Sequence, residues 1–401
     1  MIKVAIFGFG TVGSGVAEVL DINRDDILKR TGLDIEVKYI LDLRDFPGSK
    51  YESKIVHDVD VIINDPEVDI CCEVMGGKGA AFEFTKRALQ KGKSVCSSNK
   101  ELVEAHGPEL IELAKANNCS YLFEASVGGG IPIIRNICQC LVADKLEAVT
   151  GILNGTTNYM LTKMDKEGAD YDAVLKEAQD MGYAERNPSA DVDGFDAGRK
   201  IAILSSLISG KTVPYEKLYV EGITKITSVD FAYARKLGMS IKLLGRCKMM
   251  GEKVFAMVSP CMVDSTHPLY MVNDVFNGVL VRGNMLGDAM FYGAGAGKLP
   301  TASAVCADVV KVAAKLGSHI PCNWSEEEAE LVSIMDMTSR FFVRVSAASK
   351  TEAASLFGDV EFVSLETAPE EVAFLTKEMT EADFMKKYDK LAGGIASIRL
   401  A

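Results

Sequence analysis

The first thirteen residues constrain the fold of this chain more than any other feature. Residues 3–7, KVAIF, have the length of a strand and are apolar after Lys3, and GFGTVG with Gly8, Gly10 and Gly13 leads from them into an amphipathic helix. In a dinucleotide-binding loop these glycines allow the tight turn, the close approach of a pyrophosphate and the packing of helix on strand, in that order. The pattern predicts a dinucleotide site; a turn that only shapes strand–helix packing is the alternative.

The cofactor of such a loop is expected to be a nicotinamide dinucleotide. The N–H groups of Thr11 and Val12, at the start of the helix, would face its phosphates. At the end of the second predicted strand, residues 35–41, Asp42 would favour NAD through the ribose hydroxyls, and Arg44 would favour NADP through a 2′-phosphate. We favour NADP through Arg44; a solvated charge cluster is the alternative.

Strands and helices alternate up to about residue 134, which predicts right-handed crossovers and a doubly wound parallel sheet, a Rossmann-type α/β fold. Ligands bind at the carboxyl ends of such strands, where Ser98, Lys100 and the glycine-rich run from Glu124 occur. Further strands are predicted at residues 59–63, 70–75, 94–97 and 121–123, and helices at 79–91 and 101–117.

Two more units are predicted beyond this sheet. Residues 135–300 have the pattern of an α+β substrate domain, residues 301–316 form a helix that returns to the first domain, and residues 338–401 have the order βαββαβ of a ferredoxin-like unit. The expected domains are 1–134 with 301–330, 135–300, and 338–401. Predicted strands lie at 146–153, 243–249, 254–259, 278–282, 340–345, 360–365, 372–376 and 395–400, and helices at 172–181, 196–208, 351–357 and 380–390.

Composition argues against several classes of protein. With 56 acidic and 44 basic residues, a net charge of −12 and no basic block, the chain is not expected to bind nucleic acid. Its apolar runs are far shorter than the ~20 residues that span a bilayer, so we expect a cytoplasmic protein without membrane contact. The ten cysteines form no CxxC pair and favour buried, reduced thiols.

Five segments follow one another along the chain: NKEL at 99–102, EASVGGGIPII at 124–134, GILNGTTNY at 151–159, GYAERNPSADVDGFDAGRKIAIL at 182–204 and YGAGAGKLPTASAVCADVV at 292–310. Together they resemble the signatures of the homoserine dehydrogenase family. This resemblance implies NAD(P)-dependent interconversion of L-homoserine and L-aspartate 4-semialdehyde, in the biosynthesis of threonine, methionine and isoleucine. It also implies a homodimer or larger homo-oligomer.

The proton chemistry of this reaction suits the lysines of these segments. Hydride transfer to or from an alcohol carbon needs a group that moves a proton at the oxygen, and a lysine with a perturbed pKa can serve. The resemblance implies that Lys200 is the acid or base and that Lys100 polarises the oxygen or relays the proton. Asp196 and Lys200 would share one helix face, where Asp196 positions the substrate or Lys200. Surface charges with one i,i+4 salt bridge are the alternative.

The resemblance also implies a substrate pocket. Glu185 would hold the substrate's amino group, Asp191 and Tyr183 would line the same pocket, and Gly155 and Thr156 would donate hydrogen bonds. A solvated acidic loop beside a capped turn is the alternative for these residues.

A monovalent cation, Na⁺ or K⁺, is implied only by the resemblance. Its ligands would be the backbone carbonyls of Glu124, Val127, Gly129 and Ile131. The C-terminal unit is similar to the regulatory ACT modules of some family members, so threonine is the expected effector, and a packing appendage is the alternative.

Two other classes of protein compete with this interpretation. A non-catalytic dinucleotide sensor could have the same fold, although the intact Lys100, Glu185, Asp196 and Lys200 argue against it. An aspartate-semialdehyde dehydrogenase would need a nucleophilic cysteine with a nearby base, which no motif here provides.

Overall fold

The computed structural model describes all 401 residues. Its N-terminal part is a parallel sheet of six strands flanked by helices. The elements are β1 Ile2–Phe7, α1 Thr11–Ile22, α2 Arg24–Thr31, β2 Ile35–Leu41, β3 Ile55–Val56, α3 Val59–Ile63, β4 Ile70–Glu73, α4 Gly79–Gln90, β5 Ser94–Ser97, α5 Lys100–Ala116 and β6 Tyr121–Leu122. The order β3-β2-β1-β4-β5-β6 is that of a doubly wound dinucleotide-binding sheet, which confirms the predicted fold class.

The middle of the chain mixes antiparallel strands with helices, as the sequence predicts. A single π-helical turn, Asn136–Cys140, leads into it from the parallel sheet. The elements that follow are β7 Leu146–Ile152, α6 Gly155–Glu167, α7 Tyr171–Asp180, α8 Ser189–Val192, α9 Phe195–Ser209, β8 Lys211–Thr212, β9 Tyr219–Val220, α10 Ser228–Lys236, β10 Met239–Met250, β11 Lys253–Asp264, β12 Phe276–Gly283, β13 Gly287–Ala294 and α11 Lys298–Ala313.

The C-terminal residues complete the same large sheet. Their elements are β14 Ser325–Glu328, β15 Thr338–Ser339, β16 Phe341–Ser346, α12 Lys350–Phe357, β17 Phe362–Leu365, β18 Ala368–Leu375, β19 Met379–Thr380, α13 Glu381–Tyr388 and β20 Gly394–Leu400. The order β20-β16-β18-β17 is that of a ferredoxin-like βαββαβ unit. Because β20 also pairs with β11, with Cys261 beside Arg399, this unit shares a ten-stranded sheet with the middle of the chain. Its assignment as an ACT-like module stays a prediction.

Both faces of the parallel sheet are covered by helices, which explains its apolar strands. Val4 and Ile6 of β1 pack with the helices α1 and α11, while Ala5 and Phe7 pack with α4 and α5. The helix predicted at residues 301–316 therefore does return to the first sheet. No helix of the molecule combines the length and the apolar character needed to cross a membrane.

One predicted strand is wrong. Val59–Ile63 is the short helix α3, which Asp58 caps by accepting a hydrogen bond from the N–H of Asp60. Its buried residues are Val59, Ile62 and Ile63, which is the three-to-four spacing of a helix face and not the alternation of a strand. The third strand of the sheet is instead the two-residue β3.

Buried ion pairs attach the C-terminal unit to the middle of the chain. Arg344 of β16 donates to the Asp230 carboxylate of α10 at 2.6 Å and to the Glu371 carboxylate of β18 at 2.9 Å. Arg399 of β20 donates to Glu221 at 2.7 Å and to Glu381 at 2.6 Å. The side chains of Arg344 and Asp230 are only 5% and 1% exposed, so neither charge has water as an alternative partner.

We expect Arg344→Ala to destabilise the protein by about 3–5 kcal/mol, because the buried Asp230 carboxylate loses its cation. Denaturant unfolding of both proteins would measure the difference. The control is Lys386→Ala, which removes an exposed cation 3.6 Å from Asp383 and should cost less than about 1 kcal/mol. Equal effects of the two substitutions would contradict the role assigned to Arg344.

Candidate active site

The glycines of the first loop occupy the positions that a dinucleotide loop requires. Gly8 has φ +95°, a conformation that favours glycine, and a Cβ on Gly13 would lie 1.9 Å from the Gly8 carbonyl oxygen. A Cβ on Gly10 would meet nothing within 4 Å, so open space lies in front of this backbone. Helix α1 begins at Thr11 with no side-chain cap, which leaves its first N–H groups free for an anion.

Asp42 and Arg44, which the sequence leaves as alternatives, bind each other. The Arg44 guanidinium donates to both carboxylate oxygens of Asp42 at 2.9 Å, and the Phe9 N–H donates to the same carboxylate at 2.8 Å. The Arg44 hydrogen bonds outweigh burial and hold the pKa of Asp42 well below its usual range. Asp42 is thus engaged within the protein, whereas the Arg44 side chain is 64% exposed.

A cavity of about 430 Å³ lies beside this pair. It extends from the glycine loop to the end of β2 and the segment after β4, where the adenosine half of a dinucleotide binds in this fold. Its lining includes Gly8, Leu41, Arg44, His57, Met75 and Phe84.

Two lysines meet one carboxylate between the first and the middle parts of the chain. Lys100, the first residue of α5, lies 2.7 Å from Oδ1 of Asp196, and Lys200 lies 2.8 Å from Oδ2. Asp196 and Lys200 are one turn apart on α9, as their spacing predicts. The Lys200 ammonium also donates to the Leu153 carbonyl at 2.8 Å.

Asn154 is a site residue that the sequence reasoning missed. Its amide donates to Asp191 at 2.7 Å and to Asp196 at 2.9 Å, and its side-chain oxygen accepts from the Thr157 N–H at 2.8 Å. It therefore caps α6 and joins Asp191 to the lysine pair. The signal was available, because Asn before a Gly-Thr-Thr run is a helix N-cap pattern.

Burial and charge act in opposite directions on these groups. Burial raises the pKa of Asp196, but Lys200 and Lys100 outweigh it and bring the pKa well below the usual range. Burial lowers the pKa of Lys100, but Asp196 outweighs it and raises the pKa above its ordinary value. Burial raises the pKa of Asp191. Lys100, with a side chain 39% exposed against 11% for Lys200, is the ammonium more open to the cleft.

The other predicted substrate residues lie on the neighbouring segment. The Thr156 hydroxyl donates to the Tyr183 carbonyl at 2.8 Å, and the Tyr183 ring, itself exposed, packs edge-on against Tyr159. Glu185 is exposed, and its side chain forms no hydrogen bond or ion pair. A Cβ on Gly155 would lie 2.8 Å from the Val275 carbonyl. Asp191 is thus linked to the lysine pair through Asn154, whereas the Glu185 side chain makes no hydrogen bond or ion pair with these residues.

The glycine-rich loop after β6 has carbonyls that could hold a cation. The carbonyls of Val127 and Gly129 accept no hydrogen bond, and that of Ile131 accepts one from the Ile133 N–H at 2.9 Å. Since buried carbonyls are nearly always paired and Val127 is buried, a cation fits these groups. The Glu124 carboxylate is engaged separately, by the N–H groups of Ile134 and Arg135 at 2.8 and 2.7 Å.

Most of the cysteines are buried thiols and poor candidates for nucleophiles. Seven of the ten cysteines are buried and all ten are free, as the sequence predicts. Burial raises the pKa of Cys71 to about 12 and that of Cys247 to about 12, so these thiols are not the thiolates that acyl-enzyme chemistry needs.

A glycine loop on a doubly wound sheet, next to a lysine–carboxylate cluster, defines a dinucleotide-dependent oxidoreductase. Two models of known families match this chain, and both describe the same enzyme. Residues 8–124 match the family model described as homoserine dehydrogenase, NAD binding domain, and residues 132–310 match the model described as homoserine dehydrogenase.

Curated relatives and solved structures agree with these matches. Homoserine dehydrogenase of Bacillus subtilis is 37% identical over 96% of this chain and 93% of its own length, and that of Synechocystis is 41% identical over 86% and 79%. The crystal structure of a homoserine dehydrogenase from Thiobacillus denitrificans superposes with a TM-score of 0.90 at 32% identity, covering 100% of this chain and 98% of that one. The chain belongs to the homoserine dehydrogenase family, whose reaction is part of the aspartate pathway.

The contrast between Gly13 and Gly10 gives a testable prediction. Gly13→Ala should lower the thermal unfolding temperature and abolish dinucleotide binding, because its methyl group would meet the Gly8 carbonyl. Gly10→Ala should leave the unfolding temperature unchanged and weaken binding at least about tenfold, because its methyl group would occupy only the space for the pyrophosphate. Thermal unfolding and the fluorescence of bound NADPH would measure both; equal destabilisation by the two substitutions would contradict the prediction.

Proposed function

We propose that this protein interconverts L-homoserine and L-aspartate 4-semialdehyde with NADP or NAD. The observation that carries the proposal is that Lys100 and Lys200 each form an ion pair with Asp196. These residues lie in a chain that belongs to the homoserine dehydrogenase family. When bound, the nicotinamide ring supplies or accepts the hydride at the carbon that bears the substrate oxygen. The protein must then move one proton at that oxygen.

Lys200 supplies or removes this proton, and Lys100 polarises the oxygen or relays the proton. In the reductive direction the aldehyde oxygen receives a proton, so the acid must be an ammonium. Asp196 forms an ion pair with each lysine, and for Lys100 it outweighs burial and raises the pKa of the ammonium. The Lys200 ammonium forms an ion pair with Asp196 and donates a hydrogen bond to the Leu153 carbonyl. Because an ammonium has three donors, one is left for the substrate oxygen.

The substrate's ammonium and carboxylate bind on the α6 and 182–196 segments. Glu185 holds the ammonium, for which its unpaired carboxylate is free, and Asp191 and Tyr183 line the same pocket. Gly155 and Thr156, at the start of α6, offer donors to the substrate, and Thr156 would exchange its bond to the Tyr183 carbonyl for one to the ligand.

The nucleotide binds along the first loop through Gly8, Gly10, Thr11, Val12 and Gly13. Ser98 and Lys100 follow β5 at the edge where the nicotinamide half would lie. We favour NADP because Arg44 is exposed and the Asp42 carboxylate is already engaged. A hyperthermophilic archaeal homoserine dehydrogenase was solved in complex with NADPH and superposes with a TM-score of 0.68 at 28% identity.

Four further features are part of the proposal. A Na⁺ or K⁺ ion binds the carbonyls of Glu124, Val127, Gly129 and Ile131. An assay from which both ions are omitted would test this.

The protein forms a homodimer or larger homo-oligomer in the cytoplasm, and light scattering would measure its mass. The C-terminal unit is ACT-like and binds threonine, and calorimetric titration without heat or change in turnover would contradict this.

We expect Lys200→Ala and Asp196→Asn to lower kcat by about 10²–10⁴-fold, the usual contribution of a positioned proton donor. The absorbance of NADPH with aspartate 4-semialdehyde would report turnover. Nucleotide binding should persist, because neither residue belongs to the first loop.

A matched control is Lys176→Ala, which removes a 75% exposed lysine that pairs with Asp180 on α7 and should leave kcat unchanged. A folded Lys200→Ala protein with wild-type kcat would overturn the proposed role of Lys200. A folded wild-type protein that binds nucleotide without turnover would instead support the sensor.

We expect Arg44→Ala to raise the KM for NADPH at least about tenfold, because a hydrogen bond to a charged group contributes about 1.5–3 kcal/mol. The KM for NADH should change little, since the freed Asp42 can accept the ribose hydroxyls. The control, Lys29→Ala, removes an exposed cation on α2. Parallel changes for both cofactors would show that Arg44 does not select between them.

A further inference from the structure

Glu73 is a buried carboxylate that the proposed reaction does not use. It ends β4 at the carboxyl edge of the parallel sheet and is 0% exposed. No ion pair involves it: its neighbours are neutral donors. A carboxylate is rarely buried without a cation, and its desolvation is costly, so its contacts need an explanation.

Three hydrogen bonds converge on this carboxylate, from the loop after β4, the end of β5 and the loop after β5. The Ser97 hydroxyl donates to Oε2 at 2.6 Å, and the Met75 N–H donates to Oε1 at 2.9 Å. The Asn99 amide approaches Oε1 at 3.5 Å and donates to the Gly77 carbonyl at 2.7 Å. Glu73 therefore joins the loop after β4 to the loop after β5.

Both loops border the proposed reaction site. The loop after β4 lies against the dinucleotide loop, since a Cβ on Gly8 would be 2.9 Å from the Met75 side chain. In the loop after β5, Asn99 caps α5 by accepting from the Leu102 N–H at 3.1 Å. Lys100, the next residue, carries the ammonium 2.7 Å from Asp196.

The surroundings of Glu73 make its charge sensitive to pH. Burial raises its pKa to about 7, although the donors Ser97, Met75 and Asn99 act in the opposite direction. Tyr121 of β6 is the titratable side chain that faces it; burial raises the pKa of Tyr121, so it stays neutral. No lysine, arginine, histidine or second acid acts on the pKa of Glu73.

We propose that Glu73 is a positioning residue for hydride transfer, which holds the loop after β4 and the start of α5 so that Lys100 faces the nicotinamide side of the cleft. The proposal rests on the dehydrogenase reaction proposed above. The ionised carboxylate accepts these three hydrogen bonds most strongly, because protonation removes its charge and turns one of its oxygens into an O–H donor. Turnover should therefore rise with pH as Glu73 ionises.

This positioning has a cost in stability. Folding raises the pKa of this carboxyl group above its value in the unfolded chain. The free energy of unfolding therefore falls as the pH rises from the pKa of the unfolded state to that of the folded state. Glu73→Gln keeps the shape and removes the charge. At about pH 8 it should be at least as stable as the wild type yet less active, a combination that a purely structural role does not produce.

The test compares kcat, KM and thermal unfolding between about pH 6 and 9. We expect Glu73→Gln to lower kcat about tenfold, since misplacement by 1 Å can cost up to about a hundredfold. The KM for NADPH and the KM for aspartate 4-semialdehyde should each stay within about threefold of the wild-type value. The rise of kcat with pH that Glu73 causes should disappear. Ser97→Ala should move that rise to higher pH, because Ser97 lowers the pKa of Glu73.

The matched control is Glu381→Gln, which neutralises another buried carboxylate, the partner of Arg399 in the C-terminal unit. It should reduce stability and leave the pH profile of kcat unchanged. Wild-type kcat and pH profile in Glu73→Gln would overturn the proposal, as would a loss of kcat that only follows a loss of stability. If Glu73→Gln does not fold, an unshifted profile in Ser97→Ala overturns it. Absence of wild-type turnover would instead refute the proposed reaction.

Discussion

The carboxylate of Asp196 is the contact on which the arrangement of this molecule depends most. It is almost fully buried and touches one lysine from each side of the cleft, Lys100 on α5 and Lys200 on α9. A buried carboxylate needs cations nearby, and two ammonium groups this close need an anion between them. The three charges therefore fix how the parallel sheet meets the middle of the chain, and Asn154 adds a neutral link to Asp191.

Features set by local spacing could be predicted from the sequence. The glycines of GFGTVG predicted the strand, the turn and α1. The four-residue spacing of Asp196 and Lys200 predicted that they share one face of a helix. Val59–Ile63 was misassigned because a short apolar run has no clear period until a cap such as Asp58 is taken into account. The N-cap role of Asn154 has a local signal, but its contacts with Asp191 and Asp196 join residues far apart in sequence. Glu73 escaped because Ser97 and Asn99, which donate to it, are also distant in sequence.

The end of β2 shows why cofactor preference is hard to derive from residue types alone. Asp42 and Arg44 point to different cofactors when each is considered separately. In the folded chain they form one bidentate pair, and the Phe9 N–H uses the same carboxylate. The pairing neutralises part of the charge of Arg44, but a planar guanidinium has five donors and retains some for a phosphate.

The pairing of β20 with β11 has a consequence for anyone who shortens this chain. Strand β20 covers part of the outer edge of β11 and in turn carries β16. Removing the C-terminal unit would expose that edge. It would also leave Asp230 and Glu221 without the arginines that pair with them. An uncovered strand edge is a template for pairing with other chains, so a trimmed protein would be prone to aggregate even if Lys100, Asp196 and Lys200 kept their places.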